Sequence, residues 1–421
     1  TLFYMLSGMV DTLMLSSVSD QAVGAVGTAN TYIGVFIIMF GVISSGMVAV
    51  MSQNIGAGRP GIAYQARQLG LVFNALTGIL MSVVLAVFSG GILRAVSIAP
   101  ALLESAETYL KIVGGASFLN ALIPIFSSYL RVFGYTKHSL IGTVVGNVIN
   151  IILNSVFLFV FHWGVMGVAT ATVISKVVNL IIVAAMGAVL IKAKQSPERA
   201  QPRRILAQIV KIGFPSAFET ALYNVAMTFI VCFMNHMDTD GMNVTARSYA
   251  MQIANFSYCV GAALAQANAI MTGWRIGAKK YEECDRGTRK AVIYGLVTAT
   301  CFSVTFAITG RFIVHIFTND IQMIELVVKL LVVDIFLEFG RVTNLVYGQA
   351  LKTSGDAIFP VIMGAIFMYL FAVGGTYFLG IHMGLLAVGA YIAMAGDECA
   401  RAVGMVLRWK SGKWKSKSLV E

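Results

Sequence analysis

Twelve times along this chain an apolar run of about 20 residues gives way to a shorter polar connection. A helix needs about 20 apolar residues to cross the roughly 30 Å hydrocarbon core of a bilayer. The runs fall near 1–18, 28–52, 68–93, 108–130, 139–161, 164–191, 206–235, 244–273, 288–317, 323–350, 357–380 and 384–407. In lipid every backbone polar group must be paired within the protein, which leaves helices as the economical solution for such runs. Charged residues make up 12% of the chain, against about 25% in a soluble domain. The expected fold class is therefore all-α integral membrane, with twelve transmembrane helices. The first run starts without methionine and has no basic segment before it. It reads as a helix whose first turns lie outside the given sequence, rather than as a signal peptide.

The net charge of +11 is distributed unevenly. Connections after the even-numbered runs, with the tail, hold 22 of the 30 Lys and Arg, among them Arg59, Lys137, Arg203, Lys280 and Lys352. Connections after the odd-numbered runs hold Arg94, Arg311 and Lys329. Positive residues stay on the cytoplasmic side, so both termini are expected inside, and the charge marks topology rather than nucleic-acid binding. The tail "RWKSGKWKSK" is expected to lie on anionic lipid. The five cysteines form no CxxC, and no two of the five histidines stand three or four residues apart. Neither a metal site nor another cofactor is expected.

A shift of 221 positions superposes the chain on itself. Ile55-Gly56-Ala57 falls on Ile276-Gly277-Ala278, Arg59 on Lys280, Glu104 on Glu325, Leu130-Arg131 on Leu351-Lys352, and Gly134 on Gly355. We read two six-helix lobes as parallel repeats: residues 1–192, a cytoplasmic linker at 193–206, residues 207–408, and a basic cytoplasmic tail at 409–421. An even number of helices per repeat makes both enter the membrane in the same direction, related by a pseudo-two-fold along the membrane normal. Proteins built this way commonly place substrate between the halves and rock one against the other. Transport follows from this architecture; the cargo does not.

Several stretches resemble the MATE (multidrug and toxic compound extrusion) family. They are "MVDTLMLSSVSDQAVGAVGTANTY" at 9–32, "QNIGAGRPGIAYQA" at 53–66, "YLRVFGYTKHSLIGTVVGNVINIILN" at 129–154, "GVMGVATATVIS" at 164–175 and "LEFGRVTNLVYGQALKTSGD" at 337–356. The resemblance implies a two-lobed antiporter in the inner membrane of a bacterium. It would export small organic, mostly cationic compounds against an inward H⁺ or Na⁺ gradient, as a monomer, and would not be an enzyme.

One carboxylate, Asp11, interrupts the first run. A charge at mid-helix costs roughly 2.5–3.5 kcal/mol on insertion scales and marks a bundle interior or wet cavity. Ion coupling and a structural hydrogen-bonded carboxylate both fit it. At a rise of about 1.5 Å per residue, Asp11, Asn150, Asn154 and Thr172 fall at similar depths in the outer half of the first lobe. The resemblance implies a cation site there: an Asp in the first helix, an Asn and an Asp one turn apart in the fifth, and a Thr in the sixth. Asp11, Asn150 and Thr172 match it. Asn154 stands where the second Asp would be. That loss weakens a Na⁺ site. Lys176, one turn beyond Thr172, needs a partner inside the membrane. Asp11 and helix-end backbone carbonyls are the candidates. These two departures favour H⁺ over Na⁺.

The second lobe is not a copy: the mate of Asp11 is Cys232. Its acidic cluster is Glu219, Asp334 and Glu338, with Arg341. Asp334, Glu338 and Arg341 share one helix face. The roles open to them are a second proton site, a counter-charge for substrate, or, for Glu338 and Arg341, an internal ion pair. Glu219, four residues after Pro215, also fits a water-facing position. Tyr223, Asn224, Gln252 and Asn255 are candidate cavity-lining residues by helix membership. The competing functions are a flippase for lipid or lipid-linked oligosaccharide, and a Na⁺-coupled drug antiporter. A flippase would line its cavity with several cations, and only Lys111, Lys176, Arg247, Arg341 and Arg401 lie within runs. An intramembrane enzyme would need a clustered catalytic set, and a channel would not need a duplicated rocking fold.

Overall fold

A computed structural model describes residues 14–16, 19–95, 100–192, 196–237, 241–315 and 318–420. Among the described residues there are helices and connections, and no strand. They form two compact units, Thr1–Gly213 and Phe214–Glu421.

The first unit contains α1 (Asp20–Gly56), α2 (Pro60–Val87), α3 (Ser89–Ala95), α4 (Pro100–Tyr109), α5 (Phe118–Val132), α6 (Thr136–Ser155) and α7 (Gly164–Leu190). Ser19 caps α1 by accepting from the Ala22 amide at 3.4 Å. The fourth apolar run is not one rod. Residues Pro100–Gly114 and Phe118–Val132 meet at 42°. The chain then enters α8 (Pro202–Asn235), which begins in the first unit and continues into the second. Gly46 of α1 and Gly213 of α8 account for that start: a Cβ on either would strike the other helix's backbone, at Ile209 and Val42 respectively. The connection before α8 is held at Ala200, whose carbonyl accepts from Gln65 Nε2 at 2.8 Å and whose amide donates to Gln65 Oε1 at 3.1 Å.

The second unit adds α9 (Met242–Gly277), α10 (Tyr281–His315), α11 (Ile321–Ser354), α12 (Ile358–Phe367, continued by π-helical turns to His382) and α13 (Leu386–Lys410). A short turn, Lys413–Lys417, follows. The tail does not trail away from the bundle. Trp414 is buried, stacks on Trp409 with ring centroids 4.2 Å apart, and donates from Nε1 to the Trp409 carbonyl at 2.9 Å.

Among the described residues six helices are each long and apolar enough to cross a membrane, or seven if the bent pair is counted as one span. α11 and α13 fall outside that set because each carries several charges within it. The charges at Asp334, Glu338, Asp397, Glu398 and Arg401 are buried, as intramembrane charge must be.

The sequence repeat is a repeat of turn geometry. Gly134 (φ 87°) and Gly355 (φ 100°) both end a helix in the left-handed region. Tyr135 N donates to Leu130 O at 2.9 Å, and Asp356 N to Leu351 O at 3.0 Å. Likewise Arg59 N donates to Asn54 O and Lys280 N to Arg275 O, both at 2.8 Å. Further along, the offset becomes 222. His162 and Gly164 have positive φ, as do Gly384 and Leu386. Gly167 packs against Phe157 as Gly389 packs against Leu379. One extra residue hides this part of the repeat from a constant shift.

Candidate functional site

In the first unit, α6 and α7 meet along a stripe of α6 spaced by four residues: Gly142, Gly146, Asn150 and Asn154, all buried. The glycines set the approach. A Cβ on Gly142 would lie 2.6 Å from Val183 Cγ1 and 2.7 Å from Asn179 Oδ1 of α7. Small residues at this spacing let two membrane helices touch backbone to side chain. The same face therefore carries the two asparagines inward, at 3% and 0% exposure. Asn154 Nδ2 donates to Asn150 Oδ1 at 3.4 Å. On α7, Thr172 is buried and its hydroxyl donates back to Val168 O at 2.8 Å, while Ser175 Oγ donates to Thr172 O at 2.8 Å. Lys176 is half-buried beside them on α7. Asp11 lies outside the described residues, so the asparagine pair, Thr172 and Lys176 are the part of this site the structure places.

In the second unit the acidic residues divide. Glu219 pairs with Lys352 of α11 and lies against Gly364 of α12. Glu338, fully buried, pairs with Arg341 and accepts from Ser257 Oγ at 3.3 Å. The ion pair foreseen for these two is present, but it is one link of a longer network. Arg341 Nε lies 3.7 Å from Glu398 Oε1. Glu398 also accepts from Asn344 Nδ2 at 3.0 Å and meets Arg401 Nη2 at 3.0 Å. Arg401 closes the network with bonds to both oxygens of Asp397, at 2.9 and 2.6 Å. Asp334, 3% exposed, sits one turn from Glu338 on α11. The set thus holds four carboxylates and two guanidiniums, all buried except the half-buried Arg341.

Sequence reasoning missed Asp397 and Glu398. The signal was "GDECAR" at 396–401, two adjacent acids with an arginine three and four residues on, inside the last apolar run. Of the four guessed cavity residues, Tyr223, Asn224 and Gln252 are exposed on α8 and α9, and Asn255 is half-buried. Tyr258, one turn beyond Asn255, lies under the Arg341 guanidinium, 5.8 Å from ring centroid to Cζ. Among the described residues no group of three His, Cys, Asp or Glu is arranged to hold a metal ion.

An all-α bundle built twice from one repeat, with charge buried inside apolar helices, defines a polytopic membrane transporter. The MatE family model matches residues 1–156 and 215–378. The "Uncharacterized transporter YisQ" of Bacillus subtilis is 32% identical over 99% of this chain and 92% of its own length. A "Probable multidrug resistance protein NorM" of Thermotoga maritima is 26% identical over 99% of this chain and 90% of its own. Among solved structures, an outward-facing multidrug resistance MATE family transporter of the MOP superfamily aligns with TM-score 0.88 at 18% identity, covering 98% of this chain and 93% of that one. A mutant of the Vibrio cholerae MATE transporter VcmN aligns with TM-score 0.89 at 19% identity, covering 99% and 94%. The chain belongs to the MatE family, a family of membrane transporters and not of enzymes. Its fold is the twelve-helix, two-lobe fold of that family.

Proposed function

We propose that this transporter is an antiporter, exporting small amphipathic organic cations in exchange for H⁺ across a bacterial plasma membrane, with both termini in the cytoplasm. The observation that carries the reading is the inward polar face of α6. Asn150 and Asn154 are buried there, and Thr172 is buried on α7, which packs against α6. A face like this is ready to receive a carboxylate from the first apolar run, and Asp11 is the only acid in that run. Two amides, a hydroxyl and a nearby ammonium make a poor Na⁺ cage, because a hard cation wants several anionic or carbonyl oxygens. They suit a carboxyl that alternates between charged and protonated forms. The name of the Thermotoga relative, a probable multidrug resistance protein, supports the choice of cargo.

In this scheme the outward-open carrier takes a proton on Asp11. Its charge is lost, the cationic substrate loses its counter-charge and departs, and the lobes rock inward to release the proton to the cytoplasm. The test is dye export from proteoliposomes under separately imposed H⁺ and Na⁺ gradients. The wild type is expected to follow the pH gradient. Asp11→Asn is expected to bind dye while losing gradient-driven export. Export that follows Na⁺ and ignores pH, or full pH-driven export by Asp11→Asn, overturns the scheme.

A further inference from the structure

The transport scheme uses neither the first turns of α10 nor the folded tail, and these two elements line an open pocket of about 340 Å³. It is lined by Tyr281, Glu282, Asp285, Arg286, Arg289, Lys290, Ile293 and Lys415. Four of these are cations and two are acids. Asp285 is committed to its neighbours: Oδ1 accepts from Trp409 Nε1 at 2.8 Å and Oδ2 from Arg289 Nη2 at 2.6 Å. Arg286, Lys290 and Lys415 remain as exposed cations facing the opening, with Glu282 as the other acid. Lys415 is not a random tail charge. The buried Trp414 beside it stacks on Trp409 and meets Tyr281 edge-on at 5.9 Å, which anchors the tail over the start of α10.

Beyond the pocket the same face of α10 is apolar. From Ile293 the same face of α10 continues as Val297, Cys301, Val304, Ile308 and Phe312, all exposed and spaced by three or four residues. From Ile293 to Phe312 the stripe is about 28 Å long at 1.5 Å per residue, close to the roughly 30 Å hydrocarbon core. The basic pocket therefore sits at headgroup depth, and the stripe below it at acyl-chain depth. A soluble anion would need only the pocket; this arrangement provides for a charged head and attached hydrocarbon together.

We propose that the pocket between the start of α10 and the folded tail is a binding site for one anionic glycerophospholipid, its phosphate held by Arg286, Lys290 and Lys415 and its acyl chains laid along α10. Tyr281, at the edge, supplies the amphipathic ring favoured at a membrane interface. The site is separate from Asp11 and from the network of α11 and α13, so it stands whether or not the transport scheme does.

The experiment is native mass spectrometry of the full chain in detergent, with phosphatidylglycerol, phosphatidylcholine or inorganic phosphate added in turn. The wild type is expected to retain phosphatidylglycerol at least tenfold better than phosphatidylcholine. Arg286→Gln/Lys290→Gln/Lys415→Gln is expected to lose that preference, and Lys137→Gln, on the other unit, to keep it. All three changed side chains are exposed, and unchanged circular dichroism confirms that the variant is folded. Equal retention of the two lipids by wild type, undiminished phosphatidylglycerol on the triple variant, or displacement of the lipid by millimolar inorganic phosphate overturns the proposal.

Discussion

Arg401→Met is the sharpest test of the buried network in the second unit. Arg401 is 7% exposed and donates to both oxygens of Asp397, at 2.9 and 2.6 Å, while also approaching Glu398 at 3.0 Å. Methionine keeps much of the apolar stem but removes every donor. Glu398 would retain Asn344 at 3.0 Å and Arg341 at 3.7 Å. Asp397 would lose both bonds that Arg401 makes to it. Removing one partner of a buried pair costs about 3–5 kcal/mol, because it strands the other charge. In a unit of some 200 residues about 1 kcal/mol moves the unfolding midpoint by roughly 2–4 °C, so Arg401→Met should lower it by roughly 6–20 °C. The companion variant Asp397→Asn/Arg401→Met removes the stranded charge and should recover at least half of the loss. The assay is thermal unfolding of detergent-solubilised protein at one fixed scan rate, since irreversible unfolding makes the midpoint rate-dependent. A fall of less than about 2 °C in the single variant, or a double variant no more stable than the single, refutes the assignment of Arg401 as the counter-charge that holds α13 together.

Two further outcomes follow from packing. Gly142→Val puts a branched side chain where a Cβ alone would lie 2.6 Å from Val183, and should cost about 1–3 kcal/mol by forcing α6 from α7; an unchanged thermal midpoint would show that the two helices are not in tight contact there. Gly355→Ala is strained at φ 100° and directs its methyl at the Lys417 carbonyl. It should loosen the tail, seen as faster trypsin cleavage after Lys413, Lys415 and Lys417, and cleavage at the wild-type rate would count against the docked tail.

The helices were legible because lipid imposes one period and one length. Eleven of the twelve apolar runs fall on described helices, and the first lies almost wholly outside the described residues. The repeat was legible where a turn demands a left-handed glycine, at Gly134 and Gly355. It was lost between residues 135 and 157, where one extra residue changes the offset. The inward face of α6 could be read from spacing alone, because Gly142, Gly146, Asn150 and Asn154 are local to one helix. The network in the second unit could not. Glu338 and Arg341 announce a pair three residues apart, but nothing in one helix shows that Arg341 faces Glu398, 57 positions on. The lysine partner of Glu219 was hidden for the same reason: it is contributed by α11.

The two offsets together show where the halves differ in chemistry. At 222, Asp397, Glu398 and Arg401 of α13 fall on Ser175, Lys176 and Asn179 of α7. At 221, Glu338 and Arg341 of α11 fall on Ser117 and Asn120. The same places in the repeat are therefore polar in both units: Ser117, Asn120 and Ser175 are buried, as are Glu338, Asp397 and Glu398. The fold accordingly sets aside an inward polar face on these helices, and the side chains decide what it does. In the second unit the face supplies its own carboxylates and neutralises them in part with arginine. In the first unit its mates are hydroxyls, amides and one lysine, so a carboxylate there has to come from another helix. Asp11 stands in the first apolar run, and its own repeat mate is the exposed Cys232. Each half thus carries acid at positions where its repeat mate has none.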